Sequence, residues 1–278
     1  MKNWLKSLIT LGLIYQFANA EAISVVSREE GSGTRGAFIE LFQIEKINKK
    51  GKKIDNTTKR AEITNSTSVV LSTIEGNKNA IGYISLGSLN NNIKPLKINQ
   101  VLPNAENIKN KTYPIARPFN IAITKNTTQV TKDFINFILS KEGQKIIDSK
   151  GYISLDTTTN FQKTPIKGKI TISGSSSITP IMEVLKEAYV ALNPEVEIKI
   201  QQSDSTTGAI SVLHGLSDIG MISRDLKESE KEKGLISEVI AMDGIVIIIN
   251  KQNPINSLTK EQVKEIYTGN ITDWDTLK

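Results

Sequence analysis

The stretch Ile23-Ser-Val-Val-Ser-Arg-Glu-Glu-Gly-Ser-Gly-Thr-Arg-Gly-Ala-Phe38 decides how the fold is read. Ile23–Ser27 is a β-branched run and predicts a strand. Glu30–Arg35 is a Gly/Ser/Thr turn. From Gly36 to Ile44, Ala37, Phe38, Leu41 and Phe42 recur at helical spacing. The same design returns in Ser173-Gly-Ser-Ser-Ser-Ile-Thr-Pro180 and in Ser203-Asp-Ser-Thr-Thr-Gly208. Each loop carries hydroxyls and backbone N–H groups into a helix N-terminus. There the first N–H groups lack internal partners and carry partial positive charge, and glycine lets backbone approach a ligand closely. Such ends suit phosphate and other oxyanions. Arg28 adds a planar fork matched to two oxygens of a tetrahedral anion, with Glu30 as a carboxylate that would orient it. The loops are not nucleotide P-loops, because Gly-Lys-Ser/Thr is absent.

Outward from these loops, strand and helix signals alternate. Strands are expected at Ala80–Leu86, Phe119–Thr124, Lys169–Ser173, Val196–Ile200, Asp218–Ser223 and Val239–Asn250. Helices are expected at Val69–Ile74, Pro180–Leu192, Gly208–Leu213 and Leu258–Tyr267, with Ser257 or Thr259 as cap of the last. Val130–Ile147 reads as one long amphipathic helix. Lys46–Lys59 is polar and reads as a surface loop. Asp156–Lys167, with three consecutive threonines and Pro165, reads as a linker. The alternation predicts an α/β fold with largely parallel sheets.

Composition narrows the chemistry. The chain has 278 residues, no cysteine and one histidine, His214, so disulfides, thiolate catalysis and His-rich metal sites are excluded. His214 falls at a helix end and reads as structural or solvent-facing rather than catalytic. The net charge of +6 is interspersed and forms no basic block, which argues against nucleic-acid binding. Lys2 and Lys6, an apolar run over Ser7–Phe17 and Ala18-Asn-Ala20 read as a cleavable export signal over residues 1–20. The chain beyond it has no stretch apolar enough to span a bilayer, so a soluble periplasmic protein with no stable membrane insertion is expected.

Taken together, the three loops and the segments between them resemble the phosphate-binding proteins that serve ABC importers. The run Arg28-Glu-Glu-Gly-Ser-Gly-Thr34 is the most specific match. Others are Gly168–Pro180, Asp218–Leu226, Asp243–Lys251, Tyr267–Trp274, Ala80–Ser85, Tyr113–Pro118 and Ser140–Ile146. The order departs from the family, whose Gly-Ser-Ser-Ser segment comes first and whose Glu-Gly-Gln helix comes last. The resemblance therefore implies a circular permutation, with two fragments joined by a gene rearrangement as the alternative. It implies a two-lobed periplasmic-binding-protein-like α/β fold with the ligand cleft between the lobes. One lobe would comprise 115–155 with 168–246, the other 21–114 with 247–278, and 156–167 would join the family's usual termini. Crossings would lie near Asp243–Ile248 and Tyr113–Pro118.

The function implied is capture of inorganic phosphate and delivery to the permease subunits of an ABC importer, with no catalysis, no cofactor and no metal. Sulfate or another tetrahedral oxyanion, and a non-transport sensor or adhesin, are the alternatives. Carried over by position, the ligands would be Arg28, Ser32, Gly33, Thr34, Ser177, Ile178, Ser205 and Ser223. Many relatives place an aspartate where this chain has Ser223. Of Asp204, Asp225 and Asp243, the last enters an apolar run and is the favoured acceptor for a phosphate proton.

Overall fold

The computed structural model describes residues 21–277; the expected export signal lies outside them. One strand organises the molecule. Ile236–Asn250 is fifteen residues long, buried from Ile245 onward, and changes partner half-way. Ile236–Gly244 pairs antiparallel with Ala116–Ile123. Ile245–Ile249 then pairs antiparallel with Ala80–Ser85. Ser24–Arg28 adds in parallel on the far side of Ala80–Ser85, followed by Glu62–Thr64. In the other direction, Ala116–Ile123 pairs antiparallel with Ile219–Ile222, which leads to Gly168–Ser175 and Val196–Ser203 in parallel. The sheet is thus mixed, not largely parallel. The strands that enter helices through the hydroxyl loops run parallel, and the chain turns antiparallel where it crosses.

Two large apolar cores sit on either side of that change of partner. One gathers Val26, Phe38, Tyr83 and Ile84 with Ile247, Tyr267 and Trp274. The other gathers Phe119, Phe134 and Phe137 with Ile172, Tyr189 and Ile240. Each draws on residues from both halves of the chain, and the first on both of its ends. The first and last described segments also lie together. Ile23 N–H donates to Thr272 O at 2.9 Å, and Trp274 N–H donates to Glu21 O at 3.1 Å. Trp274 is fully buried, and its indole N–H donates to Asn79 O.

Four local readings are corrected or refined by the structure. The expected helix over 130–147 is two helices, Gln129–Leu139 and Lys141–Ser149. Ser140 between them is extended, donates its hydroxyl to Phe137 O and accepts from Gly143 N–H, ending one helix and capping the next. Hydrophobic periodicity runs straight through this break, because both helices face the same core. Lys46–Lys59 includes a small antiparallel hairpin, Glu45–Ile47 with Lys53–Asp55. The segment 156–167 has no regular structure but is tied down: Phe161 packs edge-on against Phe137 and Tyr189, and its N–H donates to Glu142. Thr259, not Ser257, caps the helix Lys260–Thr268 in a reciprocal box with Gln262.

Candidate functional site

Four helix N-termini meet where the two halves of the sheet face each other. Gly33–Leu41 is capped by Ser32, whose hydroxyl accepts from Arg35 N–H at 3.2 Å. Thr67–Gly76 is capped by Ser66. Opposite them, Thr179–Leu192 follows the strand Gly168–Ser175, and Ser205–Leu213 is capped by Asp204. Small residues set these positions. Gly174 has φ +131°, and a Cβ there would lie 2.5 Å from Met221 O. A Cβ on Gly208 would lie 2.8 Å from Gly174 Cα. Two glycines in contact therefore let the last helix lie directly on the strands, with its first turn at the cleft.

The polar groups these ends deliver are buried. Arg28, Ser32, Thr34 and Thr67 come from one side, and Ser175, Ser176, Ser177, Ser205 and Ser223 from the other. They join across the cleft. Thr34 Oγ1 lies 2.8 Å from Ser177 Oγ. Thr67 Oγ1 lies 3.2 Å from Ser176 Oγ and 3.3 Å from Ser177 Oγ. Arg28 Nη2 donates to Ser176 Oγ at 3.1 Å, and Thr206 N–H donates to Gly31 O at 3.2 Å. On the serine side, Ser175 Oγ donates to Ser223 Oγ at 2.9 Å, Ser205 Oγ lies 3.2 Å from Ser223 Oγ, and Ser223 N–H donates to Ser205 Oγ. Gly33 touches this group: a Cβ there would lie 2.4 Å from Ser205 Oγ and 2.7 Å from Ser223 Oγ.

Arg28 is held from several directions. Its Nε and Nη2 donate to Glu29 at 2.7 and 2.6 Å. The partner is thus the adjacent carboxylate, not Glu30, because Arg28 ends its strand and the chain turns there. Its backbone N–H donates to Tyr83 Oη, which also bonds Ser27 Oγ, and its carbonyl accepts from Arg35 Nη1. The Tyr83 ring stacks on Phe38 at 3.9 Å between centroids, and burial pushes its phenol pKa up, so it stays neutral. The remaining edge of the guanidinium, Nη1, points to Thr67 Oγ1 at 3.4 Å.

The structure brings Arg28, Gly33, Thr34, Ser177, Ser205 and Ser223 together and revises three other expectations. Ile178 N–H donates to Ser175 O at 3.0 Å, so it closes the turn rather than facing the cleft. Ser32 lies at the cleft, but its hydroxyl serves as a helix cap. Asp243 is buried as expected, yet its carboxylate is occupied and does not stand as an open acceptor. Oδ1 accepts from Ser85 Oγ and Leu86 N–H, and Oδ2 accepts from both Nε and Nη2 of Arg117. Burial raises its pKa, against the pull of Arg117. Sequence reasoning missed Glu29, Thr67 and Ser176. Asn65-Ser66-Thr67-Ser68 before an apolar helix was the available signal for Thr67, being a fourth hydroxyl loop of the same kind. Among the described residues, no group of three or more His, Asp and Glu side chains is placed to hold a metal.

The sequence profile of the PBP superfamily domain matches residues 1–142 and 159–277, the greater part of the chain. Phosphate-binding protein PstS 2 of Streptococcus agalactiae is 52% identical over 257 residues, covering 92% of this chain and 87% of that protein. The chain belongs to the PstS family. A crystal structure of a phosphate-binding protein of a phosphate ABC transporter from Streptococcus pneumoniae superimposes with a TM-score of 0.72 at 42% identity. It covers 92% of this chain and all of that one. PstS of Bacillus subtilis is 32% identical over 114 residues, covering 40% of this chain and 37% of that protein. The two-lobed PBP-like α/β fold expected from the sequence is therefore the fold of this chain and of its streptococcal relatives.

Proposed function

We propose that this protein captures inorganic phosphate between its lobes and delivers it to the permease subunits of an ABC importer. The observation that carries the reading is the convergence of four helix N-termini, a buried arginine and a cluster of buried hydroxyls on one inter-lobe point. Donors concentrated in a dry site bind an oxyanion through charge-assisted hydrogen bonds. The names of the PstS relatives fit this chemistry. The ligand set comprises Arg28, Thr34, Thr67, Ser177, Ser205 and Ser223, with Gly33 as the position where backbone must come close. Nothing in the set performs chemistry: the protein binds and releases. Residues 1–20 act as an export signal and place the protein outside the cytoplasmic membrane; among the described residues no helix is long and apolar enough to cross a membrane.

The chain order is part of the proposal. A circular permutation is supported by the pairing of residues 21–23 with 272–274 and by one core drawing on both ends of the chain while the other joins residues 119–152 to 170–241. The PstS of Bacillus subtilis matches less than half of the chain, as expected where the usual order interrupts the alignment.

Titration calorimetry of the protein with phosphate and with sulfate tests the reading. Saturable phosphate binding is expected, and a protein that binds neither anion would refute it.

A further inference from the structure

The geometry points to Arg117 and Asp243 as a positioning pair that joins the two halves of the anion site from behind. The inference rests on the phosphate reading for its ligand but on the structure for its shape. Both side chains are almost fully buried, at 2% and 0% exposure, and both sit on strands that cross between the cores. Arg117 spends Nε and Nη2 on Asp243 Oδ2 at 3.1 and 3.0 Å. Its third nitrogen, Nη1, donates to the carbonyl of Ser223 at 3.1 Å. Ser223 is the residue whose N–H and hydroxyl bind Ser205 and Ser175 in the cleft.

From Asp243 the connection runs the other way. Its Oδ1 accepts from Ser85 Oγ at 2.7 Å and from Leu86 N–H at 3.1 Å. Ser85 ends the strand Ala80–Ser85, and Tyr83 on that strand holds the backbone of Arg28. One ion pair is thus tied to Ser223 on one side of the cleft and, two residues from Tyr83, to the seat of Arg28 on the other. A buried ion pair commonly adds no net stability over an apolar pair of the same volume. Its value here is directional: a planar fork fixes two partners at a set angle, which apolar contact does not do.

Two variants test the assignment. Arg117→Lys keeps a positive charge beside Asp243 but has a single ammonium that cannot hold Asp243 and Ser223 in fork geometry. The double variant Arg117→Met with Asp243→Leu removes both charges and keeps apolar volume, which guards against a misfolded single variant. Amide hydrogen exchange without anion is expected to speed up in both variants at Ser223 and at Arg28 together, with the helix Thr179–Leu192 unchanged as the internal reference. Phosphate affinity is expected to fall about tenfold or more, equivalent to about 1.4 kcal/mol, while the denaturation midpoint of the double variant stays close to the parent's. Exchange at Ser223 and Arg28 unchanged from the parent in the folded variants would overturn the assignment. So would phosphate affinity within about twofold of a phosphate-binding parent's. A parent that binds no phosphate would instead refute the functional reading, and the exchange result would still decide the role of the pair.

Discussion

At the scale of single residues, the site is defined as much by what is absent as by what donates. Gly33 faces Ser205 and Ser223 across the cleft so closely that a methyl group has no room. Gly33→Ala is expected to leave the thermal midpoint nearly unchanged, because separating the lobes relieves the clash, and to weaken phosphate binding at least tenfold, about 1.4 kcal/mol; calorimetry beside a thermal melt checks both. Arg28 supplies the fork, and Glu29 and Tyr83 hold it. Arg28→Ala removes the fork and leaves Glu29 without its partner, so an affinity loss of about 2–5 kcal/mol is expected. Parent-like phosphate affinity in Arg28→Ala would mean that the anion sits elsewhere. The acceptor expected of Asp243 is not available, since its oxygens already receive four hydrogen bonds. Ser223 accepts a hydrogen bond from Ser175, which leaves its own hydroxyl hydrogen to donate. Neither position 223, a serine, nor position 243, whose carboxylate is bonded to Ser85, Leu86 and Arg117, presents an open carboxylate to the cleft.

At the scale of elements, caps and turns decide where helices begin and so where their N-termini point. Ser140 separates two helices that periodicity alone would fuse. Ser140→Ala removes a cap and is expected to cost about 0.5–2 kcal/mol in a denaturant titration, with phosphate affinity unchanged because the bonds of the Ser140 side chain go to Phe137 and Gly143 and to none of the cleft residues. The turn after the strand Ile219–Ile222 is held differently. Arg224 makes a double hydrogen bond to Glu230 at 2.8 Å and also reaches Thr206 Oγ1. Burial pushes the Glu230 carboxyl up, but hydrogen bonds from Arg224 and from Lys227 N–H outweigh it, and the net pKa is lowered. A lowered carboxylate pKa stabilises the fold above the ordinary range of glutamate, about pH 4–5, and that stability is lost as pH falls through the lower folded value. Glu230→Gln should be less stable than the parent at neutral pH, and the difference should shrink in melts taken below about pH 4. A difference that stays constant with pH would remove the ionic component.

At the scale of the whole molecule, neither core can be built from one half of the chain. Val26 and Tyr83 need Ile247 and Tyr267, and Phe119 and Phe134 need Ile172 and Tyr189. A fragment comprising residues 21–155 is therefore expected to show no cooperative unfolding transition by circular dichroism. A sharp transition for that fragment would mean that the first half carries a core of its own. The crossing strand Ile236–Asn250 is the element that makes the halves interdependent, because it completes both sides of the sheet.

The sequence by itself determined the fold class, the three hydroxyl loops and the place of Arg28 beside them. Each is written locally: a β-branched run, a Gly/Ser/Thr turn and a helical face lie within a few residues of one another, and glycine and hydroxyl side chains have narrow local uses. The sheet directions, the partner of Arg28, the membership of Thr67 and Ser176 in the cluster and the occupation of Asp243 were decided only by tertiary structure. Glu29 and Glu30 are equivalent as neighbours in sequence, and the turn after the strand selects between them. Asp243 looks like any buried acid until Arg117, 126 positions away in the chain, is brought to 3.0 Å from it. Burial raises the cost of every unpaired polar group, so the groups that meet at the crossing satisfy one another. Which groups meet is a property of chain topology that no local pattern encodes.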